Sequence, residues 1–335
     1  MKNFALVGCG AIAGIHAAAI KEIEGAKLYG VFDSYRAGAE KFAAENGCAI
    51  FDSLEKLLAD RSVDIVNICT PSGLHAPIAV AAAKAGKHVI VEKPMAITKE
   101  QIDDIATAAK KNDVKIAVIT QLRFTPAVRK LKEAIDGGRL GKLLFADFRM
   151  KYYRCPEYYS SSSWRGTKAM DGGGALMNQG IHGIDLMQYL MGRVKSVYAD
   201  CRTLLHDIEA EDTANLLVEY DCGAIGVIQG TTAAAPGYPR TIEISGTKGT
   251  VILEEDSIKQ WDVQGECEEC SQSDVNSASN PLAIGTQYHK LQFEDLIRAI
   301  DTNTEPLVGV DEGRKPVEII LAAYESSEKG VKIKL

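Results

Sequence analysis

Apolar runs and amphipathic segments alternate along the first third of the chain. Several apolar runs have the length of buried strands, namely FALVG, DIVNICT, HVIVEK and VKIAVIT. The segment ITKEQIDDIATAAKKN repeats apolar residues at helical spacing, and Thr98 and Gln101 have the spacing of a capping box at its start. Strands that alternate with helices indicate a parallel, doubly wound sheet, so we predict an α/β domain over residues 1–121.

The pattern changes in the second part of the chain. The segments DTANLLVEYDCGAIGVIQGTT and TIEISGTKGTVILEED each contain two strand-like runs with a turn between them, at residues 221–223 and 247–249. A chain of 335 residues is also too long for one ordinary core. We therefore predict a second domain over residues 122–335, with a linking segment near residues 120–126.

Composition and charge exclude several classes of protein. A net charge of -7 argues against a nucleic-acid-binding protein, which usually concentrates basic residues on one surface. No apolar run approaches the roughly 20 residues that span a bilayer, and the start MKNFALVG lacks the long apolar segment of a secretory signal. The eight cysteines lie mostly in apolar segments, which is typical of reduced thiols. We therefore expect a cytoplasmic protein with no nucleic-acid or membrane partner.

Cys267 and Cys270 have the spacing of a metal-binding pair. A zinc site with four ligands needs a second pair or nearby histidines, and the sequence contains no second CxxC. We therefore interpret this segment as an acidic surface loop and predict no metal site.

A glycine turn joins the first apolar run to an alanine-rich helix. Gly8, Gly10 and Ala13 fit the dinucleotide fingerprint in the form that ends in alanine. Gly8 permits the tight turn, Gly10 lets the backbone approach a pyrophosphate, and Ala13 lets the helix pack closely on the strand. The phosphates then meet the free N–H groups at the start of the helix, where Ala11 and Ile12 lie. The turn predicts a dinucleotide site.

An acidic residue supports this site. Asp33 ends the strand-like run KLYGVFD, 33 − 10 = 23 residues after Gly10, about where a carboxylate accepts hydrogen bonds from the adenosine ribose. Its charge would repel a 2′-phosphate, so NAD is favoured over NADP. Arg36 weakens this inference, because a nearby arginine can bind that phosphate.

Further candidates follow from the geometry of parallel sheets, in which ligands bind beyond the carboxyl ends of the strands. The segments CTPSGLH and EKP end two of the predicted strands. They place five residues on the cofactor side, which are Thr70, Pro71, His75, Glu92 and Lys93. A cation placed at this edge is favoured over an ordinary solvated lysine.

The helix after the glycine run carries one histidine. Asn178, His182, Asp185 and Tyr189 fall on one stripe of an ideal helix. Such a stripe is also found on an ordinary amphipathic helix with a solvated polar face. Taken alone, these residues leave a catalytic and a structural histidine equally open.

The segment YYRCPEYYSSSSWRG, residues 152–166, combines four tyrosines with a tryptophan and two arginines. Aromatic faces and guanidinium groups suit a sugar or a sugar with an anionic group. The alternative is a surface loop with aromatic residues by chance.

Five motifs occur in order along the chain, GCGAIA, CTPSGLH, VEKPM, QLRFTP and GGGALMNQGIHGIDL. With them, and with its ending PLVGVDEGRKPVEIILAAYESS, the chain resembles the Gfo/Idh/MocA oxidoreductase family over nearly its whole length. The resemblance implies an N-terminal Rossmann domain that binds NAD and an α+β C-terminal domain with an open, mainly antiparallel sheet. It also implies a homodimer or homotetramer that assembles through that sheet.

The resemblance implies roles for individual residues. Lys93 would lie near the nicotinamide and the substrate hydroxyl, and His182 would carry the proton. Many members have aspartate where this chain has Asn178, so a carboxylate–histidine dyad is in doubt and Asp185 is an alternative partner for the imidazole. The full cofactor set comprises Gly8, Gly10, Ala11, Ile12, Asp33, Arg36, Thr70, Pro71, His75, Glu92, Lys93, Gln121, Trp164 and Arg165. The substrate set comprises Lys93, Arg123, Tyr152, Tyr153, Asn178, His182 and Asp185.

These features predict an NAD-dependent dehydrogenase that oxidises a ring hydroxyl of a sugar, a sugar derivative or a polyol to a ketone. By analogy within the family, the substrate would be nucleotide-linked or glycosidic and oxidised at the third ring carbon. Two alternatives stay open. One is an enzyme that retains NAD and cleaves glycosides by oxidation, elimination and reduction, and the other is a non-catalytic nucleotide-sensing protein on the same fold.

Overall fold

The structure is a computed structural model, and it describes residues 1–266, residue 278 and residues 285–335. Cys267 and Cys270 lie outside the described residues. The chain divides into two compact units, Met1–Gln121 with Ile284–Arg314 and Leu122–Ala283 with Lys315–Leu335.

Helices and strands are numbered in chain order through both units. The strands are β1 (Lys2–Val7), β2 (Ala26–Phe32), β3 (Ala49–Ile50), β4 (Ile65–Ile68), β5 (His88–Val91), β6 (Ile116–Val118), β7 (Leu143–Tyr153), β8 (Val194–Arg202), β9 (Thr213–Tyr220), β10 (Ile225–Thr231), β11 (Ala233–Gly246), β12 (Gly249–Glu254), β13 (Ser257–Val263) and β14 (Ile333–Lys334). The helices are α1 (Ala11–Lys21), α2 (Arg36–Asn46), α3 (Leu54–Ala59), α4 (His75–Lys84), α5 (Lys99–Asn112), α6 (Pro126–Asp136), α7 (Pro156–Ser160), α8 (Ile181–Met191), α9 (Gln287–Thr302) and α10 (Val310–Lys329). A π-helical segment, Ala175–Gly180, precedes α8, and short 3₁₀ turns lie at Ser72–Leu74 and Gln121–Phe124.

The first unit is built on a parallel sheet. Its strands within the described residues have the order β3-β2-β1-β4-β5-β6, and every neighbouring pair is parallel. All four residues of β4 are buried, which explains why the central strands read as continuous apolar runs. Thr98 accepts the backbone N–H of Gln101 on its hydroxyl at 3.2 Å, so the cap of α5 lies where the sequence predicts it. The predicted α/β domain is confirmed.

The core of this unit includes a helix from far along the chain. Phe293 and Leu296 of α9 are fully buried in the same cluster as Phe4 of β1 and Ile20 of α1. The side chain of Gln292 also accepts the backbone N–H of Thr120 at 3.0 Å. The prediction of one continuous domain over residues 122–335 is therefore wrong for Ile284–Arg314, because the apolar face of α9 completes the core of the first unit.

The second unit is built on a mixed sheet. Its strands within the described residues have the order β13-β12-β11-β7-β10-β9-β8-β14, and β7 with β10 is the parallel pair among antiparallel neighbours. The predicted strand pairs around residues 221–223 and 247–249 are β9 with β10 and β11 with β12. The mainly antiparallel sheet is confirmed.

One face of this sheet is covered by α8. A Cβ atom at Gly183 would lie 2.1 Å from the Phe148 ring of β7, so glycine is required for the helix to approach the strand this closely. In the described part of the chain, every helix is too short or too polar to span a bilayer.

Candidate active site

The glycine turn after β1 has the backbone that a dinucleotide requires. Gly8 has a φ of +94°, and a Cβ atom there would lie 2.8 Å from the carbonyl oxygen of Cys69. Gly10 precedes α1 in an extended conformation, no side chain caps the helix, and a Cβ atom at Gly10 would meet nothing within 4 Å. The first N–H groups of α1, from Ala11 and Ile12, therefore face an approachable space. Such a helix N-terminus fits a diphosphate.

Asp33 lies beside this turn, directly after β2. Its Oδ2 accepts the backbone N–H of Cys9 at 2.7 Å, and its Oδ1 accepts the backbone N–H of Tyr35 at 2.7 Å. These bonds fix the carboxylate at the turn. Each oxygen has a second lone-pair site, so the group can also accept ribose hydroxyls.

Arg36 is engaged by other acidic residues. Its Nε donates to Glu40 at 2.9 Å and its Nη1 donates to Asp52 at 3.1 Å, on an exposed surface. A guanidinium shared by two carboxylates is neutralised and oriented by them. The structure therefore disfavours the predicted contact between Arg36 and the cofactor.

Two of the predicted cofactor residues are buried and support the loops beside them. Both ring nitrogens of His75 contact carbonyl oxygens, Nδ1 that of Pro94 at 2.7 Å and Nε2 that of Thr70 at 2.8 Å. Glu92 contacts His16 through Oε1 at 2.8 Å and accepts the backbone N–H of Lys93 on Oε2 at 3.1 Å. These protein contacts give His75 and Glu92 a supporting role in the loops, and their predicted contact with the cofactor stays a prediction.

Other residues at this edge fit a polar ligand. The hydroxyl of Thr70 and the Oε1 atom of Gln121 are buried and have no hydrogen-bond partner within the described residues. Pro71 and Lys93 are half-buried, and the Lys93–Pro94 peptide bond is cis. Buried polar atoms are normally paired, so these two atoms are available to a polar ligand or to water.

In the second unit, His182 is the second residue of α8 and is half-buried. Asn178 lies in the π-helical segment before it. The wider turn of a π-helix changes the angle between successive residues, so the predicted ideal stripe does not continue from Asn178 to His182. Asn178 instead donates through Nδ2 to Asp171 at 2.8 Å and accepts Gln179 on Oδ1 at 3.1 Å.

Asp185 has a different partner from the one predicted. It forms a bidentate pair with Arg123, with distances of 2.8 Å from Nε to Oδ2 and 2.6 Å from Nη2 to Oδ1. Both side chains are almost fully buried, and the guanidinium lies 4.5 Å from the centre of the Tyr189 ring. Asp185 therefore has Arg123 as its partner, and the predicted contacts of Asp185 with the imidazole and of Arg123 with a substrate stay predictions. This pair stabilises α8 from inside the unit.

The aromatic segment spans the end of a strand and a short helix. Tyr152 and Tyr153 belong to β7, and Tyr158 and Tyr159 belong to α7. The hydroxyl of the buried Tyr152 donates to Glu255 at 3.3 Å, which holds this residue in the sheet, and its predicted contact with the substrate stays a prediction.

Trp164 and Arg165 follow α7 and are half-buried. Arg165 donates through Nη1 to the carbonyl of Tyr158 and to the hydroxyl of Ser161, both at 3.1 Å. Its guanidinium lies 4.5 Å from the centre of the Tyr158 ring, and its Nε is buried without a partner within the described residues. These contacts fix the guanidinium of Arg165 next to the ring of Tyr158, so the segment before the glycine run carries both a cationic and an aromatic group.

Comparison with known proteins shows the family of this chain. Residues 2–120 match the description "Oxidoreductase family, NAD-binding Rossmann fold", and residues 128–252 match "GFO/IDH/MocA C-terminal domain". The WlbA dehydrogenase from Bordetella pertussis, solved in complex with NADH and UDP-GlcNAcA, is 33% identical with a TM-score of 0.90. The alignment covers 100% of this chain and 97% of that one. The chain belongs to the GFO/IDH/MocA family.

Other members of the GFO/IDH/MocA family are similar at comparable levels. Myo-inositol 2-dehydrogenase of Thermotoga maritima is 28% identical over 347 residues, with 98% of this chain and 97% of that protein covered. Levoglucosan dehydrogenase of Pseudarthrobacter phenanthrenivorans is 31% identical over 241 residues, with 64% of this chain and 60% of that protein covered. The chain is therefore an NAD-dependent oxidoreductase acting on CH–OH groups, and the resemblance inferred from its motifs is confirmed.

Sequence reasoning missed two buried carboxylates next to the family's glycine run. Asp171 accepts the backbone N–H of Gly166 at 2.9 Å in addition to Asn178. Glu211 accepts the backbone N–H groups of Gly174 at 3.0 Å and Leu176 at 2.7 Å, and the hydroxyl of Tyr324 at 3.1 Å. Burial raises the pKa of Glu211 to about 7. The signal for Asp171 was its place directly before three glycines, and Glu211 lies two residues before strand β9.

Proposed function

We propose that the chain oxidises a ring hydroxyl of a sugar, a sugar derivative or a polyol to a ketone. NAD, when bound, supplies the acceptor for the hydride. His182 accepts the hydroxyl proton on its imidazole, and Lys93 polarises the hydroxyl or relays the proton. Asn178, oriented by Asp171, contributes a hydrogen bond to the substrate.

The observation that carries the proposal is the cofactor turn of the first unit. Gly8 and Gly10 leave the N-terminus of α1 uncapped and approachable, and Asp33 is fixed beside it by two backbone bonds. Thr70 and Gln121 add buried polar atoms without protein partners in the described residues. The glycine turn allows the pyrophosphate to approach, and the helix dipole of α1 stabilises its negative charge. The carboxylate of Asp33 can accept the hydroxyls of the ribose.

The substrate class is supported by relatives and by local chemistry. One similar protein is named for myo-inositol, another for levoglucosan, and one was solved with UDP-GlcNAcA. In this chain, Tyr153, Trp164 and Arg165 supply half-buried aromatic and cationic groups. Aromatic faces pack against sugar rings, and an arginine binds a carboxylate or a phosphate. We favour a nucleotide-linked or glycosidic sugar oxidised at the third ring carbon.

The test is a substrate panel with purified protein and NAD, read by the absorbance of NADH. The panel contains myo-inositol, levoglucosan, free sugars, uronates and nucleotide sugars that include UDP-GlcNAcA. We expect NADH to form with at least one class, and its production to require added NAD. Substrate cleavage without added NAD and without free NADH would replace this proposal by the NAD-retaining glycoside-cleaving enzyme. NAD binding without turnover of any panel member would favour a nucleotide-sensing protein.

The proposal includes a homodimer or homotetramer in the cytoplasm. Neighbouring strands of the second unit expose a row of apolar residues, with Phe145 37%, Tyr198 44%, Leu217 59% and Ile225 54% exposed. Large contiguous apolar patches on a protein surface usually mark interaction sites. Light scattering after gel filtration should give two or four times the chain mass, and Leu217→Glu should lower it. A wild-type monomer would contradict the assembly.

The described cysteines are free thiols, which agrees with the proposed location in the reducing cytoplasm.

A further inference from the structure

The first unit contains a buried polar cluster that the sequence did not predict. It consists of His16 on α1, Asn67 on β4, Glu92 after β5 and His289 on α9, and we call it the His16 cluster. All four side chains are buried, His16 and Asn67 completely. Buried polar groups are costly unless they are paired, so the arrangement of protons in this cluster matters.

Both ring nitrogens of His16 face oxygen atoms. Nδ1 lies 2.9 Å from Oδ1 of Asn67, and Nε2 lies 2.8 Å from Oε1 of Glu92. A neutral imidazole has one N–H group and would turn a lone pair toward one of these oxygens. An imidazolium has two N–H groups and satisfies both. With Oδ1 of Asn67 facing Nδ1, the geometry favours a charged ring beside a charged carboxylate.

Glu92 connects this ring to the loop that carries Lys93. Its second oxygen, Oε2, accepts the backbone N–H of Lys93 at 3.1 Å. The backbone N–H of Glu92 in turn donates to the carbonyl of Ile68 at 3.1 Å, which fixes it at the end of β4. A continuous set of hydrogen bonds thus runs from α1, which starts at the cofactor turn, to the backbone of Lys93.

We propose that His16 is a positioning residue, held as an imidazolium that keeps Glu92 ionised and thereby orients the Lys93 loop. The functional part of this inference rests on the proposed role of Lys93, whereas the charge of His16 does not.

The groups that surround His16 agree with a positive ring. They are Glu92, Cys69 with Sγ 3.4 Å from Nδ1, His289 with ring centres 5.2 Å apart, and Lys93 beyond Glu92. Burial and the nearby His16 charge lower the pKa of His289 to about 4, so it is neutral. Burial opposes the ionisation of Glu92, but the hydrogen bond and charge of His16 lower its pKa to about 2. Burial raises the pKa of the Cys69 thiol, which leaves Glu92 as the anion beside the ring.

A metal ion is a competing explanation, because ligand atoms of His16, Glu92 and His289 lie within 4.8 Å of one another. Two ligands on a tetrahedral ion with bonds of about 2.0–2.1 Å are about 3.3 Å apart. The 2.8 Å separation of His16 Nε2 and Glu92 Oε1 is shorter and is that of a hydrogen bond. The distance therefore favours a proton between the two atoms.

The first test is ¹⁵N NMR of the whole protein labelled at histidine, without added cofactor, with His16→Gln to assign the signal. We expect both ring nitrogens of His16 to show the imidazolium signature at a pH where an ordinary histidine is neutral. A neutral-tautomer signature at that pH would overturn the proposal. This measurement is independent of any substrate, so it can succeed or fail separately from the proposed function.

The second test compares turnover in His16→Gln with that in His289→Gln, a buried neutral histidine of the same cluster. We expect His16→Gln to lower kcat about 10- to 100-fold through misplacement of Lys93, with the KM for NAD nearly unchanged. His289→Gln should retain kcat even if its melting temperature falls as much as that of His16→Gln.

The double variant His16→Gln with Glu92→Gln should regain turnover, because two neutral amides can again hydrogen-bond. Normal turnover in His16→Gln, or losses in both single variants that follow their melting temperatures, would overturn the positioning role.

Discussion

The preference for NAD over NADP is the expectation that the structure makes most quantitative. Asp33 would meet the 2′-phosphate of NADP, which carries about −1.5 to −2 charges. At about 5 Å, two unit charges repel by about 1 kcal/mol in water and about 3 kcal/mol in a partly buried site. Asp33 is half-exposed and salt screens it further, so we take a value near the water limit, about 1.5–2 kcal/mol for the whole phosphate.

NADP also loses the hydrogen bond that a ribose hydroxyl donates to the carboxylate, which contributes about 1.5 kcal/mol or more. The sum of about 3 kcal/mol corresponds to a preference of about 100-fold. To offset this, Arg36 would have to leave Glu40 and Asp52, with which it forms exposed ion pairs of small strength.

The assay is a direct titration of NADH and NADPH, which requires no known substrate. Asp33→Asn keeps the size of the side chain, and we expect it to reduce the preference to about tenfold or less. Arg36→Ala is the matched control and should leave the preference unchanged. The reasoning fails if the wild type binds NADPH as tightly as NADH, and most clearly if Arg36→Ala then abolishes NADPH binding.

Three further expectations concern stability and the aromatic segment. Asp185→Ala leaves Arg123 buried without its carboxylate and should lower the free energy of unfolding in urea by about 3–5 kcal/mol. Replacement of both residues by apolar ones should recover most of this loss. A loss below about 1 kcal/mol in Asp185→Ala would contradict the pairing. Glu211 has its pKa raised by burial from 4.5 to about 7, so its contribution to stability is complete below about pH 4.5 and is lost as the pH rises through 7. The wild type should therefore lose up to about 3 kcal/mol relative to Glu211→Gln between those values, and a difference independent of pH would show that the carboxylate stays ionised. Trp164→Ala and Arg165→Ala should reduce turnover more than melting temperature, since both side chains are half-buried outside the core; equal losses would make the segment structural.

Much of the first unit could be predicted because its signals are local. The strands β1, β4, β5 and β6 are buried on both faces and read as apolar runs, and the spacing of Gly8, Gly10 and Asp33 follows from the shape of a dinucleotide. The sequence of α9 alone does not show to which unit the helix belongs. Its apolar face has the same pattern whichever core it completes.

The candidate site was predicted less completely, because its contacts depend on partners distant in sequence. Arg123 and Asp185 are 62 residues apart, and neither sequence neighbourhood shows that they form a pair. The π-helical segment changed the position of Asn178 relative to an ideal helix, and a projection at 3.6 residues per turn cannot show this. His16 lies in an alanine-rich helix, where a histidine among apolar residues is a signal for a buried polar contact.

The most direct test of the proposed mechanism is single-turnover oxidation by His182→Ala, with NAD binding measured on the same sample. Removal of a general base should lower the rate about 10²- to 10⁴-fold, while NAD affinity stays close to that of the wild type, because the turn at Gly8 and Asp33 is intact. Measured between about pH 6 and 10, the deficit of the variant should shrink toward high pH, where hydroxide can replace the base. Near-normal turnover of His182→Ala across this range would contradict the proposed role of His182 and would leave Lys93 as the proton acceptor.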